Sequence, residues 1–162
     1  MFLTVCQKGD NMCIYDYIYG MGGLRHINNK ELCSVFTTCE AKTLAVVISA
    51  AIDIIDIMRI DYAIVNAKSN VAEIVNALYV YRSDLNELYR ESLLAGNTEL
   101  VHAVIECGLL NPEKFAMYLA ICNLPVWFKY VAEKYCKADV IKITLAMCTR
   151  LGFHDFVHEV TS

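Results

Sequence analysis
Short runs of apolar residues at helical spacing recur along the chain, each broken by a small polar turn and followed at once by another run. The turns fall near Gly9-Asp10-Asn11, Glu40-Ala41-Lys42, Ser69-Asn70, Gly96-Asn97, Asn123-Leu124 and Leu151-Gly152, about 26 to 31 residues apart. The segment after one turn can be laid on the segment after the next. Residues 73–78 (EIVNAL) align with 99–104 (ELVHAV), and those with 126–131 (VWFKYV), so that apolar positions coincide. Asn76, His102 and Lys129 then share one equivalent place, expected to face solvent. The segments before the turns repeat too, at residues 3–6, 63–66, 92–95, 119–122 and 145–148, where small side chains let neighbouring helices approach closely. This periodicity predicts an all-α chain of about six helical hairpins, approximately 1–30, 31–58, 59–84, 85–111, 112–138 and 139–162, forming a single domain. Local signals agree. Asn111 before Pro112 reads as an N-cap with proline in the first turn, Pro125 opens another helix, and Asn97 or Thr98 can cap the helix that Glu99 begins. Residues 20–29 (GMGGLRHINN) read as an irregular loop, and no strand is required.

Residues 93–108 (LLAGNTELVHAVIECG) resemble an ankyrin repeat: the end of a first helix, a Gly-Asn turn, then Glu-Leu-Val opening a second helix that closes on Glu-Cys-Gly. Gly108 would be its left-handed cap. The Thr-Pro-Leu-His opening of that family is absent, and the period falls short of the family's 33 residues. The chain is therefore similar to the divergent, β-finger-poor ankyrin-like repeats found in multigene-family and host-range proteins of large DNA viruses. That resemblance implies a short solenoid of stacked helix-turn-helix units. It further implies a protein-binding groove lined by first helices and turns, and an intracellular, cytoplasmic setting in a host cell. By register with the ankyrin pattern, Glu91 and Tyr118 are equivalent groove-side positions, with Arg90 beside the first; these three residues are the expected partner-binding site.

Composition narrows the function. The chain has 162 residues, 57% of them apolar, with 14 basic against 18 acidic side chains and a net charge of −4. No basic run exists to neutralise phosphates, so nucleic acid is not an expected partner. The mean hydropathy of +0.40 raises the question of a membrane span. The most apolar stretch, residues 44–58, is about 15 residues long and carries Asp53 and Asp56, against the roughly 20 apolar residues a span requires. It reads as a buried core helix. The N-terminal residues lack the pattern of a secretory signal, and the eight cysteines sit mostly in apolar helical patterns without a C-x-x-C pair, so they are read as buried thiols.

Candidate chemistry is sparse, and neither a cofactor nor a metal is expected. His154 and His158 are four apart and would share a helical face, but no third ligand stands nearby. Asp53 and Asp56 could form a carboxylate pair, and otherwise mark the polar edge of a buried helix. Cys107 and His102, five apart, would turn away from each other on one helix. Phosphate-loop, H-E-x-x-H and G-x-S-x-G motifs are absent. A non-enzymatic protein-interaction module is therefore expected, with a host protein as partner and a role in modulating host range or immunity. Phe2, Leu3, Phe153, Phe156 and Val157 make both end repeats apolar and suggest self-association.

A second reading is a viral Bcl-2-like helical bundle that binds BH3 helices and inhibits apoptosis. Residues 87–91 (ELYRE) followed by Asn97 look like the start of a BH1 motif, and residues 152–157 (GFHDFV) look like BH2. Where that family reads Asn-Trp-Gly-Arg, this chain reads Asn97-Thr98-Glu99-Leu100 and loses the arginine that would pair with the ligand.

Overall fold
Four of the polar turns that interrupt the apolar runs, at Gly9, Gly96, Asn123 and Gly152, become left-handed helix ends, whereas the helix before Glu40 ends at Cys39 in extended backbone. In the computed structural model, which describes residues 2–20, 27–51, 57–67, 71–79 and 85–162, positive φ angles occur at Gly9, Gly96, Gly108, Asn123 and Gly152. At three of them the hydrogen bonding is the same. Gly96 N–H donates to the Leu93 carbonyl at 2.9 Å and Asn97 N–H to Ser92 at 2.8 Å; Asn123 donates to Ala120 and Leu124 to Leu119, both at 3.0 Å; Gly152 donates to Thr149 at 3.1 Å and Phe153 to Cys148 at 2.9 Å. Each is a Schellman closure, which satisfies two orphan carbonyls and stops the helix.

Among the described residues there are twelve helices and no strand. They follow one another as six pairs: α1 (Phe2–Lys8) with α2 (Asn11–Gly20), α3 (Asn29–Thr38) with α4 (Ala41–Ala51), α5 (Ile57–Val65) with α6 (Val71–Tyr79), α7 (Asn86–Leu94) with α8 (Thr98–Glu106), α9 (Pro112–Ile121) with α10 (Pro125–Tyr135), and α11 (Ala138–Arg150) with α12 (His154–Thr161). Asn111 caps α9 by accepting from the Glu113 and Lys114 N–H groups at 3.0 and 3.1 Å, as its place before Pro112 implies. Asn28 does the same for α3, accepting from Glu31 N–H at 2.8 Å. Residues 44–51 of the long apolar stretch lie in α4 and Ile57 and Met58 in α5; residues 52–56, with Asp53 and Asp56, lie outside the described residues, as do Ser69, Asn70 and residues 21–26 of the glycine-rich loop.

The chain divides into two compact units, residues 1–104 and 105–162, with the division inside α8. In the first unit the leading helix of each pair packs on the leading helix of the next, α1 on α3, α3 on α5 and α5 on α7, while the trailing helices α2, α4 and α6 pack in the same succession. In the second unit α9 packs on its own partner α10 and on α11, and α10 packs on α12. Phe2, Phe36, Leu44 and Ile64 are among the fully buried side chains of the first unit; Phe115, Phe128 and Phe156 fill the second. Two residues expected at an exposed apolar end are therefore core instead. Phe2 stacks on Tyr17 with ring centroids 5.3 Å apart, and Phe156 meets Phe128 edge to face at 5.4 Å. A terminal position does not expose a ring when its helix turns that face inward. Cysteine burial is also narrower than expected: Cys6, Cys39 and Cys148 are buried, Cys33, Cys122 and Cys136 half-buried, and Cys13 and Cys107 exposed.

One side chain ties consecutive turns together. The Asn97 amide donates to the carbonyls of Val65 and Ala67, both at 3.0 Å, and its oxygen accepts from Leu100 N–H at 3.4 Å. Asn97→Ala leaves two carbonyls of the preceding turn without their donor and is expected to cost about 1–3 kcal/mol, more than the roughly 1 kcal/mol expected for the simple cap variant Asn111→Ala. Urea unfolding of the two variants side by side checks this. Equal losses would reduce Asn97 to an ordinary cap.

Candidate functional site
The left-handed residue at the end of a helix fixes the phase of everything before it, so equivalent positions can be counted back from Gly96, Asn123 and Gly152. Eight and four residues back stand Leu88 and Ser92 on α7, Phe115 and Leu119 on α9, and Thr144 and Cys148 on α11, and all six are buried. Nine, six, five and two residues back stand Glu87, Arg90, Glu91 and Leu94; Lys114, Met117, Tyr118 and Ile121; and Ile143, Ala146, Met147 and Arg150. Arg90 and Tyr118 are half-buried and the other ten are exposed. Each of α7, α9 and α11 thus presents one face of four positions to solvent, as the 3.6-residue period requires.

On α9 and α11 that face is mostly apolar, and on α7 it carries one apolar side chain, Leu94. Ile121 is 73% exposed, Ile143 60% and Leu94 50%, and Met117 and Met147 are exposed as well. The expected site residues occupy the same positions. Arg90 and Glu91 are brought together on α7, where the Arg90 guanidinium lies 3.1 Å from Glu91 Oε1 and 3.5 Å from Glu87 Oε1. Tyr118 belongs to the second unit, on α9, with its ring stacked on Phe115 at 6.2 Å between centroids. Sequence reasoning named Glu91 and Tyr118 but passed over Leu94, Ile121, Ile143 and Met147, because an apolar residue on a short helix reads as core until the phase of the helix is known.

Cavities recur where the turns of consecutive pairs meet. One of about 260 Å³ is lined by Ile121 and Asn123 from one turn and by Gly152, Phe153, His154 and Asp155 from the next. Another of about 270 Å³ lies among Val65, Asn66, Ala95, Gly96 and Asn97. A third, of about 220 Å³, is bounded by Cys6 and Gly9 on one side and by Cys39 and Glu40 on the other. Among the described residues no group of three or more His, Cys, Asp or Glu side chains could hold a metal ion. His154 and His158 are exposed on α12, and Cys107 sits in the turn after the helix that carries His102. No helix of the described residues is long and apolar enough to cross a membrane.

Perturbed groups are few. The Lys134 ammonium lies 5.5 Å from the Tyr130 ring centroid and 5.4 Å from that of Tyr135, and donates to the Tyr130 hydroxyl at 3.4 Å. Hydrogen bonds to Tyr130 and then Tyr135 hold its pKa above the usual lysine value, so this cation stays charged. The Cys13 thiol is pushed up by its hydrogen bond to Asp10, and burial pushes up Cys33, Cys136 and Cys148. Compared with protein-family models, curated proteins and solved structures, the chain matches none.

If the four outward positions serve the surface alone, Ile121→Ser is expected to stay within about 0.5 kcal/mol of the parent stability, while Phe115→Ala on the same helix costs about 3–5 kcal/mol. Chemical unfolding of both variants tests the assignment, and a loss above about 1.5 kcal/mol for Ile121→Ser would place Ile121 in the core.

Proposed function
We propose that the chain is a non-enzymatic interaction module, an ankyrin-like stack of six helix pairs that binds a protein partner through its leading helices. The observation that carries this reading is the distribution of exposed large apolar side chains. Of the thirteen large apolar side chains exposed among the described residues, Tyr62, Leu94, Met117, Ile121, Ile143 and Met147 lie on the leading helices α5, α7, α9 and α11, whereas Met12, Tyr15 and Tyr19 lie on α2, Val126 on α10, and Leu109, Leu151 and Phe153 in turns. Repeat proteins bind partners along the surface made by one helix of each repeat, and exposed apolar side chains on such helices mark contact surfaces. Arg90, Glu91 and Tyr118 stand on the same faces and would supply polar and aromatic contacts to the partner. The resemblance to the repeats of large DNA viruses makes the partner a host protein met inside the cell, and the module a modulator of host range or immunity.

The contact pattern favours a stack over a Bcl-2-like bundle. Within each unit, among the described residues, each main contact of a helix is with its own pair partner or with its counterpart in a neighbouring pair, whereas a bundle would wrap its helices around one central apolar helix. Small-angle scattering of the reduced chain tests the architecture. A compact chain of this length has a radius of gyration of about 15 Å, and an extended stack is expected to exceed it clearly. Partner binding is tested by placing a photoreactive side chain at Ile121 of the full chain and irradiating it in host-cell extract. One specific adduct, displaced by unlabelled parent protein but not by a Met147→Asp, Ile143→Asp variant, is the expected result. Adducts that the variant displaces equally well would sink this face as the binding surface, and saturable binding of BH3 peptides would shift the reading to the bundle.

A further inference from the structure
The cavity between the first two turns contains the one place where two buried thiols meet among the described residues. Cys6 lies three residues before the left-handed Gly9 and is 1% exposed; Cys39 caps α3, with its N–H on the Val35 carbonyl at 3.0 Å, and is 3% exposed. They are far apart in sequence and are brought together because α1 packs on α3, a contact reinforced by Leu3 N–H donating to Glu31 Oε1 at 3.3 Å. Both residues line the same cavity, which opens beside the exposed Lys8, Thr38, Glu40 and Lys42.

We propose that Cys6 and Cys39 form a redox-active dithiol, which a hydroperoxide entering this cavity closes to a disulfide linking the ends of α1 and α3. The two sulfurs have distinct roles. Cys6 donates its S–H to the Cys39 sulfur, and this bond, helped by one from Thr38, lowers the Cys39 pKa; the same contact, with burial and the negative charges of Cys39 and Glu31, raises that of Cys6. In this proposal Cys39 is the attacking sulfur and Cys6 the resolving thiol. The Cys39 sulfur attacks one peroxide oxygen, the O–O bond breaks, and the departing hydroxide takes the Cys6 proton as water. The Cys6 sulfur then attacks the sulfenyl sulfur, the S–O bond breaks, and the second hydroxide takes up the proton that Cys39 had released. Two thiols lose two electrons and two protons, and hydrogen peroxide becomes two waters.

The test uses the full chain, reduced and desalted, then exposed to a small molar excess of hydrogen peroxide, alkylated after unfolding and mapped by peptide mass spectrometry without reduction. The expected product is a Cys6–Cys39 cross-linked peptide that dithiothreitol removes, formed before the exposed Cys13 and Cys107 are oxidised. In Cys6→Ser the sulfenic acid at Cys39 is expected to persist and to be trapped by dimedone, whereas in Cys39→Ser Cys6 stays alkylatable. Recovery of Cys6 and Cys39 as free thiols after Cys13 or Cys107 has been consumed, or a different pair as the dominant cross-link, would overturn the proposal. The mapping of the parent chain decides this without relying on either variant to fold.

Discussion
Helices of seven to thirteen residues are marginal in water, so no helix of this chain holds its shape alone. Every one must bury a stripe against a neighbour, and the stripe must point the right way when the helix ends. The left-handed turn supplies that phase. Because the last residue is fixed by two backbone hydrogen bonds and a positive φ, the residues four and eight before it are turned inward and those two, five, six and nine before it outward. One glycine or asparagine thus decides the facing of a whole helix, and repeating the turn repeats the facing.

Polar demand inside these stripes is met within each helix. Ser92 and Thr144 are buried, yet each hydroxyl donates to the carbonyl four residues back, Leu88 at 2.8 Å and Val140 at 2.9 Å. Neither asks anything of the helix it packs against, so small side chains give close approach without importing an unsatisfied group. Among the described residues no buried side-chain nitrogen or oxygen lacks a hydrogen-bond partner. One polar tie between pairs is placed at the turns, where Asn97 reaches the carbonyls of Val65 and Ala67. Apolar stripes make the contact, and the turn amide sets its register.

These features differ in how far the sequence displays them. Turns and caps are local chemistry, so Gly96-Asn97, Asn123-Leu124, Gly152, Gly108 and the Asn111-Pro112 start are all legible as short words. The equivalence of Glu91 and Tyr118 is legible for the same reason, since both stand five residues before a left-handed turn. Exposure of Ile121 or Ile143 is not legible, because its apolar character is that of a core residue and only the phase of the helix separates the two. Phe2 and Phe156 show the reverse, read as exposed by their place near the ends and buried by their facing. The meeting of Cys6 and Cys39 is hidden more deeply: it depends on which helix packs on which, and no local pattern records that.

The same separation explains how such a scaffold can carry different chemistry from pair to pair. The inward positions are answerable to a neighbour, and on α7 and α9 they hold Leu, Ser and Phe of fitting size. The outward four are mostly exposed, with Arg90 and Tyr118 half-buried and Tyr118 stacked on Phe115. On α7 they are Glu87, Arg90, Glu91 and Leu94, an ion cluster beside one apolar side chain; on α9 and α11 they are mostly apolar, with Lys114 and Arg150 as the charges. Substitution there costs little stability, so these positions can follow the demands of a partner while the turns and stripes stay as they are. Ile121, Ile143 and Met147 are exposed and add little packing energy to the fold, which is why the proposed binding surface is placed on them.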